Sequence, residues 1–168
     1  MTARISLQGG FTLIETVISL ALAAVIAVAL SVITMEVFNS QANNTMHITA
    51  VRQVENGIHW FNRDAKQAQI INAAGPAGFP LELRWINWEG IAIRVTYSLT
   101  GNNLVREYRE GGDISTIIAA RYVDSSPGLT SCIQYGSIFT ITLSVTTPGA
   151  RPATETRTVE IYSPARVN

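Results

Sequence analysis

Glu15 has the strongest chemical claim in this chain, because it is the only charged side chain between Arg4 and Glu36. The residues behind it, Thr16 to Met35, form an uncharged run of 20 dominated by Leu, Ile, Val and Ala. At helical rise that run covers about 30 Å, one hydrocarbon core. A carboxylate at such a depth costs up to ~3 kcal/mol at the bilayer centre and less toward the edge, so it calls for a cationic partner. The chemistry expected of Glu15 is therefore ion pairing inside an apolar medium. Met1 to Gly10 is too short for a signal peptide of ordinary build. It reads as a short leader, cut from a hydrophobic helix that stays on the product.

Gly10-Phe11-Thr12-Leu13-Ile14-Glu15, with the apolar run after it, resembles the processing site of type IV prepilins and type II secretion pseudopilins. The resemblance implies cleavage between Gly10 and Phe11 by a membrane aspartyl prepilin peptidase, then N-methylation of Phe11. It also implies docking, with Glu15 pairing with the amino group of Phe11 on a neighbouring subunit. Methylation leaves that amino group cationic. Further along, Phe61-Asn62-Arg63-Asp64-Ala65-Lys66-Gln67-Ala68 is similar to the helix end of minor subunits of the pilin-tip or J-type sort, in which an Asp and a Gln-Ala pair lead into the sheet. Val95 to Leu99 with Asn103 to Arg106 looks like their middle hairpin. Two departures stand out: Val32 occupies the place of a helix-breaking Pro found in many pilins, and a lone cysteine rules out the intramolecular disulfide that closes a C-terminal loop in many others.

The other reactive residue types do not form a pattern. His47 and His59 have no second Cys or ligand spacing around them, so no zinc site is expected. Neither belongs to a local nucleophile signature. No Walker A, dinucleotide or EF-hand motif occurs, so no cofactor and no metal are implied. Gly111-Gly112-Asp113 and Asp124 read as turn residues rather than a calcium loop. Cys132 reads as a small, half-buried strand residue, and Trp85 and Trp88 as core or edge packing. Asn43-Asn44-Thr45 fits a glycosylation sequon by chance in a presumed bacterial chain.

Composition narrows the partners. The formal charge is zero, with 12 basic and 12 acidic residues, and losing Arg4 with a leader leaves 11 against 12. That balance opposes a surface built to neutralise phosphates, so no specific nucleic acid is expected. Only 14% of residues are charged and 47% are apolar, and the apolar excess sits between Phe11 and Phe38. Arg4 precedes the span and Glu36 follows it, so the positive-inside bias leaves the N-terminus cytoplasmic.

The elements that must carry these residues follow from periodicity. Glu36 to Thr49 is polar without Pro or Gly, so a helix can continue through it. Val51, Val54, Ile58, Phe61, Ala65 and Ala68 then recur at steps of three and four, one buried helical face. Gly57 should weaken that helix by up to ~1 kcal/mol relative to Ala. The helix should end near Ile71. Past Pro80 the period becomes two: strands are expected over 81–85, 91–99, 104–110, 116–123, 138–146 and 156–162, with a hairpin at Gly101-Asn102. No crossover helix is required, so the sheet should be antiparallel.

The expected fold class is α+β: a long N-terminal helix, hydrophobic and then amphipathic, packed on a C-terminal antiparallel sheet, the pilin-like arrangement. The expected divisions are a leader at 1–10, a transmembrane and assembly helix at 11–35, its amphipathic continuation at 36–72 and a sheet head at 73–168. The resemblance implies a structural subunit, a minor pilin or pseudopilin, and not an enzyme. Its partners would be membrane lipid before assembly, prepilin peptidase, the inner-membrane assembly machinery and other pilin or pseudopilin subunits. It would sit single-pass in the cytoplasmic membrane, then in a surface or periplasmic filament. Alternatives remain open. One is an anchored or secreted binding domain that does not assemble; another is an exported enzyme. Ala27-Val28-Ala29 also has the form of a conventional signal-peptidase site, although Glu15 would interrupt the h-region.

Overall fold

The computed structural model describes residues 12–75, 77–126, 128–136, 138–149 and 151–162. Their order is one helix and eight strands: α1 (Leu13–Ala65), β1 (Ile70–Ala73), β2 (Leu81–Ile86), β3 (Ala92–Thr100), β4 (Asn103–Glu110), β5 (Asp113–Arg121), β6 (Ser131–Tyr135), β7 (Ile138–Thr146) and β8 (Thr154–Tyr162). The fold class is α+β, and every strand pair is antiparallel. The chain divides into two compact units, residues 1–42 and 43–168.

In the first unit the described chain is helix from Leu13 onward. In the second, the strands form two sheets, in orders β1-β2-β3-β4-β5 and β6-β7-β8. Period-two alternation makes these strands two-faced. Leu81, Leu83 and Trp85 on β2, Val95 and Tyr97 on β3, and Phe139, Ile141, Leu143 and Val145 on β7 are buried. The residues between them on β2 and β3 face outward. Residues Ala50, Val54, Phe61 and Ala65 of α1 complete this core.

Several boundaries differ from expectation, each for a local reason. The helix ends at Ala65, not Ile71. Beyond it the Gln67 and Ala68 N–H groups donate to Asp64 O in a closing turn, and Gln69 N–H then donates to Arg84 O. Ala68 is buried by that turn, which continued the helical spacing without continuing the helix. β1 and β6 are short, and their patterns were too brief to read as strands. β5 begins at Asp113, three residues before the expected start, across the tight turn at Gly111-Gly112. The Gly101-Asn102 hairpin is present, with Gly101 at φ +56°.

The chain passes from the first sheet to the second after β5. Tyr122, at φ 60°, turns the chain out of β5, and Val123 then bridges Val145 of β7. Asp124 N–H donates to Ser144 O and Thr146 N–H to Tyr122 O, both at 2.9 Å.

Candidate assembly site

Gly10 and Phe11, the expected processing residues, lie outside the described residues; Glu15 lies within them. Thr12 precedes the first helical turn and Glu15 is its third residue, the S/T-x-x-E spacing of a capping box. The Thr12 N–H and its hydroxyl both approach Glu15 Oε2 at 3.5 Å, the long limit of a hydrogen bond. Glu15 also sits where the helix macrodipole favours negative charge. This local role is written in the tetrapeptide Thr12 to Glu15 itself. Among the described residues it takes up little of the carboxylate's capacity, since an ionised carboxylate has about four acceptor positions.

Behind Glu15 the helix is built for an apolar solvent. Leu13, Leu20, Val25, Leu30 and Met35 are all more than half exposed, on every side of the helix. The hydroxyls in the run turn inward onto the helix's own carbonyls. Thr16 donates to Leu13 O at 2.8 Å, Ser31 to Ala27 O at 2.8 Å and Thr34 to Leu30 O at 2.7 Å. Each is thereby satisfied without water, the condition a bilayer or a dry helix bundle imposes. The helix is long and apolar enough to cross a membrane, and the span is unburied within the chain itself.

The second unit holds an ionic site that periodicity did not show. Asp64 lies on the inward face of α1 and is 1% exposed. Arg106 of β4 grips it bidentately, Nε to Oδ2 at 2.6 Å and an Nη to Oδ1 at 3.0 Å. Tyr97 of β3 donates its phenol to Oδ2 at 2.6 Å. Half-exposed Arg63 adds longer contacts at 3.4 Å. The Trp60 ring lies beneath both guanidinium groups, 4.1 Å from Arg63 and 4.8 Å from Arg106. Among the described residues no buried side-chain polar atom lacks a partner.

The electrostatics follow from this packing. Burial, and then the charge and hydrogen bond of Asp64, hold the Tyr97 phenol well above its ordinary value. Burial pulls Arg106 down, but its hydrogen bonds and charge attraction to Asp64 outweigh that and raise it overall. Tyr108 is raised by burial and by its hydrogen bond to Glu110. The cluster has a carboxylate, a cation and a phenol, yet its groups are closed upon one another beneath the sheet. It is suited to fixing α1 in register on β3 and β4. The sequence signal was present: Leu104 and Arg106 share one face of β4, and the cation at that inward position requires a buried acid.

The other candidates fall elsewhere. His47 and His59 are exposed on α1. Cys132 is 3% exposed, more deeply buried than expected, and burial pushes its thiol up to about 12. Trp85 is in the core, whereas Trp88 is 91% exposed in the β2–β3 turn. Among the described residues no group of three His, Cys, Asp or Glu could hold a metal ion.

Comparison with known proteins bears on the amino end. Neither the curated proteins nor the solved structures return a match. The model of the prokaryotic N-terminal methylation motif matches residues 5–31, which include Gly10, Phe11 and Glu15. That match ends well before the sheets and does not distinguish a J-type subunit from any other. With the motif at residues 5–31 and a long apolar helix behind it, the chain carries the type IV pilin signature.

Proposed function

We propose that this chain is a filament subunit, a minor pilin or pseudopilin, made as a prepilin and assembled through its N-terminal helix. Prepilin peptidase cuts between Gly10 and Phe11, and Phe11 is then N-methylated. The observation that carries this reading is the exposed apolar helix with a single acid at its head, coinciding with the methylation motif. Aliphatic surface on all sides of a helix needs lipid or other helices around it. The same surface serves in both settings, so leaving the membrane exchanges lipid contact for helix contact.

Glu15 supplies the selectivity. In lipid it sits near the membrane edge; in the filament it meets the methylated ammonium of Phe11 on a neighbour. A lone carboxylate among aliphatic side chains discriminates strongly between copies that offer a cation at the right level and copies that do not. The helix anchors the subunit in the inner membrane with its N-terminus cytoplasmic, and the sheet unit carries whatever specificity the filament needs. This role is structural, not catalytic.

Processing is tested with Gly10→Val. The reading predicts a full-length, unprocessed species on a blot, while the wild type begins at N-methylated Phe11. A wild type starting at Leu30 would instead mark a secreted protein. Normal processing of Gly10→Val would contradict the prepilin reading. A wild type processed at Phe11 yet never found in filaments would favour an anchored binding domain.

A further inference from the structure

The outward face of the five-stranded sheet holds an arrangement that fold stability does not explain. Arg84, Arg94 and Arg109 stand directly opposite one another on β2, β3 and β4. With strands 4.7–4.9 Å apart, the row spans about 10 Å. Like charges at directly opposed positions repel and weaken a sheet, so three arginines in register need a countercharge.

The described residues supply only part of it. The neighbouring row is Glu82, Thr96 and Glu107, giving two carboxylates for three cations. Glu107 takes Arg109 at 2.5 Å. Glu82 pairs with Arg84 through the same oxygen that lies 3.7 Å from Arg94. Arg94, the middle member, is therefore the least compensated, and its carboxylate contact is beyond hydrogen-bond reach. All three side chains are close to half exposed.

The row also borders a cleft of about 540 Å³, which Ile86, Ala92 and Gly111 line on the side away from the glutamates. The floor of this cleft is thus cationic on one side and apolar on the other. We propose that it is a binding site for a small multivalent oxyanion, a phosphate- or carboxylate-bearing ligand whose charged groups bridge Arg94 and its neighbours. Guanidinium groups suit this task, because their planar forks bind oxyanions through paired N–H donors. The apolar border accepts a non-polar portion of the same ligand. The site lies wholly in the second unit and does not depend on filament assembly.

The test uses the full chain in non-ionic detergent, titrated with pyrophosphate and with citrate by calorimetry at low salt. Saturable one-site binding of either is expected, weakening as salt rises; the tighter of the two identifies phosphate or carboxylate as the source. Arg94→Gln should weaken binding by about tenfold or more, whereas Arg121→Gln, on β5 away from the row, should leave it unchanged. Without ligand, Arg94→Gln should melt at or above the wild-type temperature, since it relieves repulsion. Absence of saturable binding by both probes overturns the proposal. So does equal weakening by the two substitutions, or a lower melting temperature for Arg94→Gln, which would make Arg94 a structural partner of Glu82.

Discussion

The two ends of α1 follow opposite rules. From Leu13 to Phe38 apolar side chains cover all sides and stay exposed. From Ala50 to Ala65 they occupy one stripe and are buried, while Arg52, Glu55, His59 and Arg63 face solvent. A stripe has its partner within the chain; an all-round apolar surface must find its partner outside. The acids differ in the same sense. Asp64 is enclosed by Arg106 and Tyr97, whereas the contacts of Glu15 among the described residues are long ones to Thr12.

The largest effect should come from removing the buried acid. Asp64→Ala leaves Arg106 charged and without its partner beneath the sheet, at a cost of about 3–5 kcal/mol. Denaturant unfolding of the full chain in detergent would show it as a lower midpoint. The corresponding change at the other end, Glu15→Ala, should leave that midpoint in place. A comparable loss for both would erase the distinction between a folding acid and an assembly acid.

Gly57 sharpens the comparison on the buried stripe. Helix propensity alone predicts that Gly57→Ala stabilises by up to ~1 kcal/mol. A Cβ there would lie 2.6 Å from Leu143 Cδ2 and 3.2 Å from Ala120 Cβ. Leu143 is itself buried, so yielding disturbs the core, and overpacking of this kind costs about 1–3 kcal/mol. The net outcome should be destabilisation, read in the same unfolding experiment. Stabilisation would show that α1 is free to shift from β5 and β7.

A smaller and graded effect is expected from pH. The Cys132 thiol is raised by burial from 9.0 to about 12, so the folded chain keeps a proton that the unfolded chain loses. Its stabilising contribution is complete below pH 9 and declines as pH rises toward 12, by at most about 1.4 kcal/mol per unit. Tyr97, raised by burial and by Asp64, adds a loss of the same sign above pH 10.0. Thermal melts across pH 8 to 11 should fall alkaline of 9, and Cys132→Ala should flatten the first part of that fall. A wild-type melting temperature constant over this range would contradict the burial of both groups.

Much of this was legible in the amino-acid order. Val54, Phe61 and Ala65 announce the buried stripe by spacing, and the alternation of Phe139, Ile141, Leu143 and Val145 announces an inward face. Spacing places Asp64 on the buried stripe, three residues after Phe61, but an acid at an inward position reads as polar until its cation is known. Alternation does not reveal which strands are neighbours. The division into two sheets depends on contacts beyond adjacent strands, and β1 and β6 are too short to show alternation. The opposition of Arg94 and Arg109, by contrast, follows from the Gly101-Asn102 turn that sets Thr100 opposite Asn103. At the amino end, six residues around Glu15 carry the expectation of processing and docking, and the tetrapeptide Thr12 to Glu15 by itself carries the capping role.

The most direct test of the central claim is incorporation of Glu15→Ala into filaments. Membrane and sheared-filament fractions would be compared by quantitative blotting in cells carrying the natural set of partner subunits. The account predicts a processed protein, present in the membrane at wild-type level and nearly lost from the filament fraction. Wild-type abundance of Glu15→Ala in filaments would contradict it.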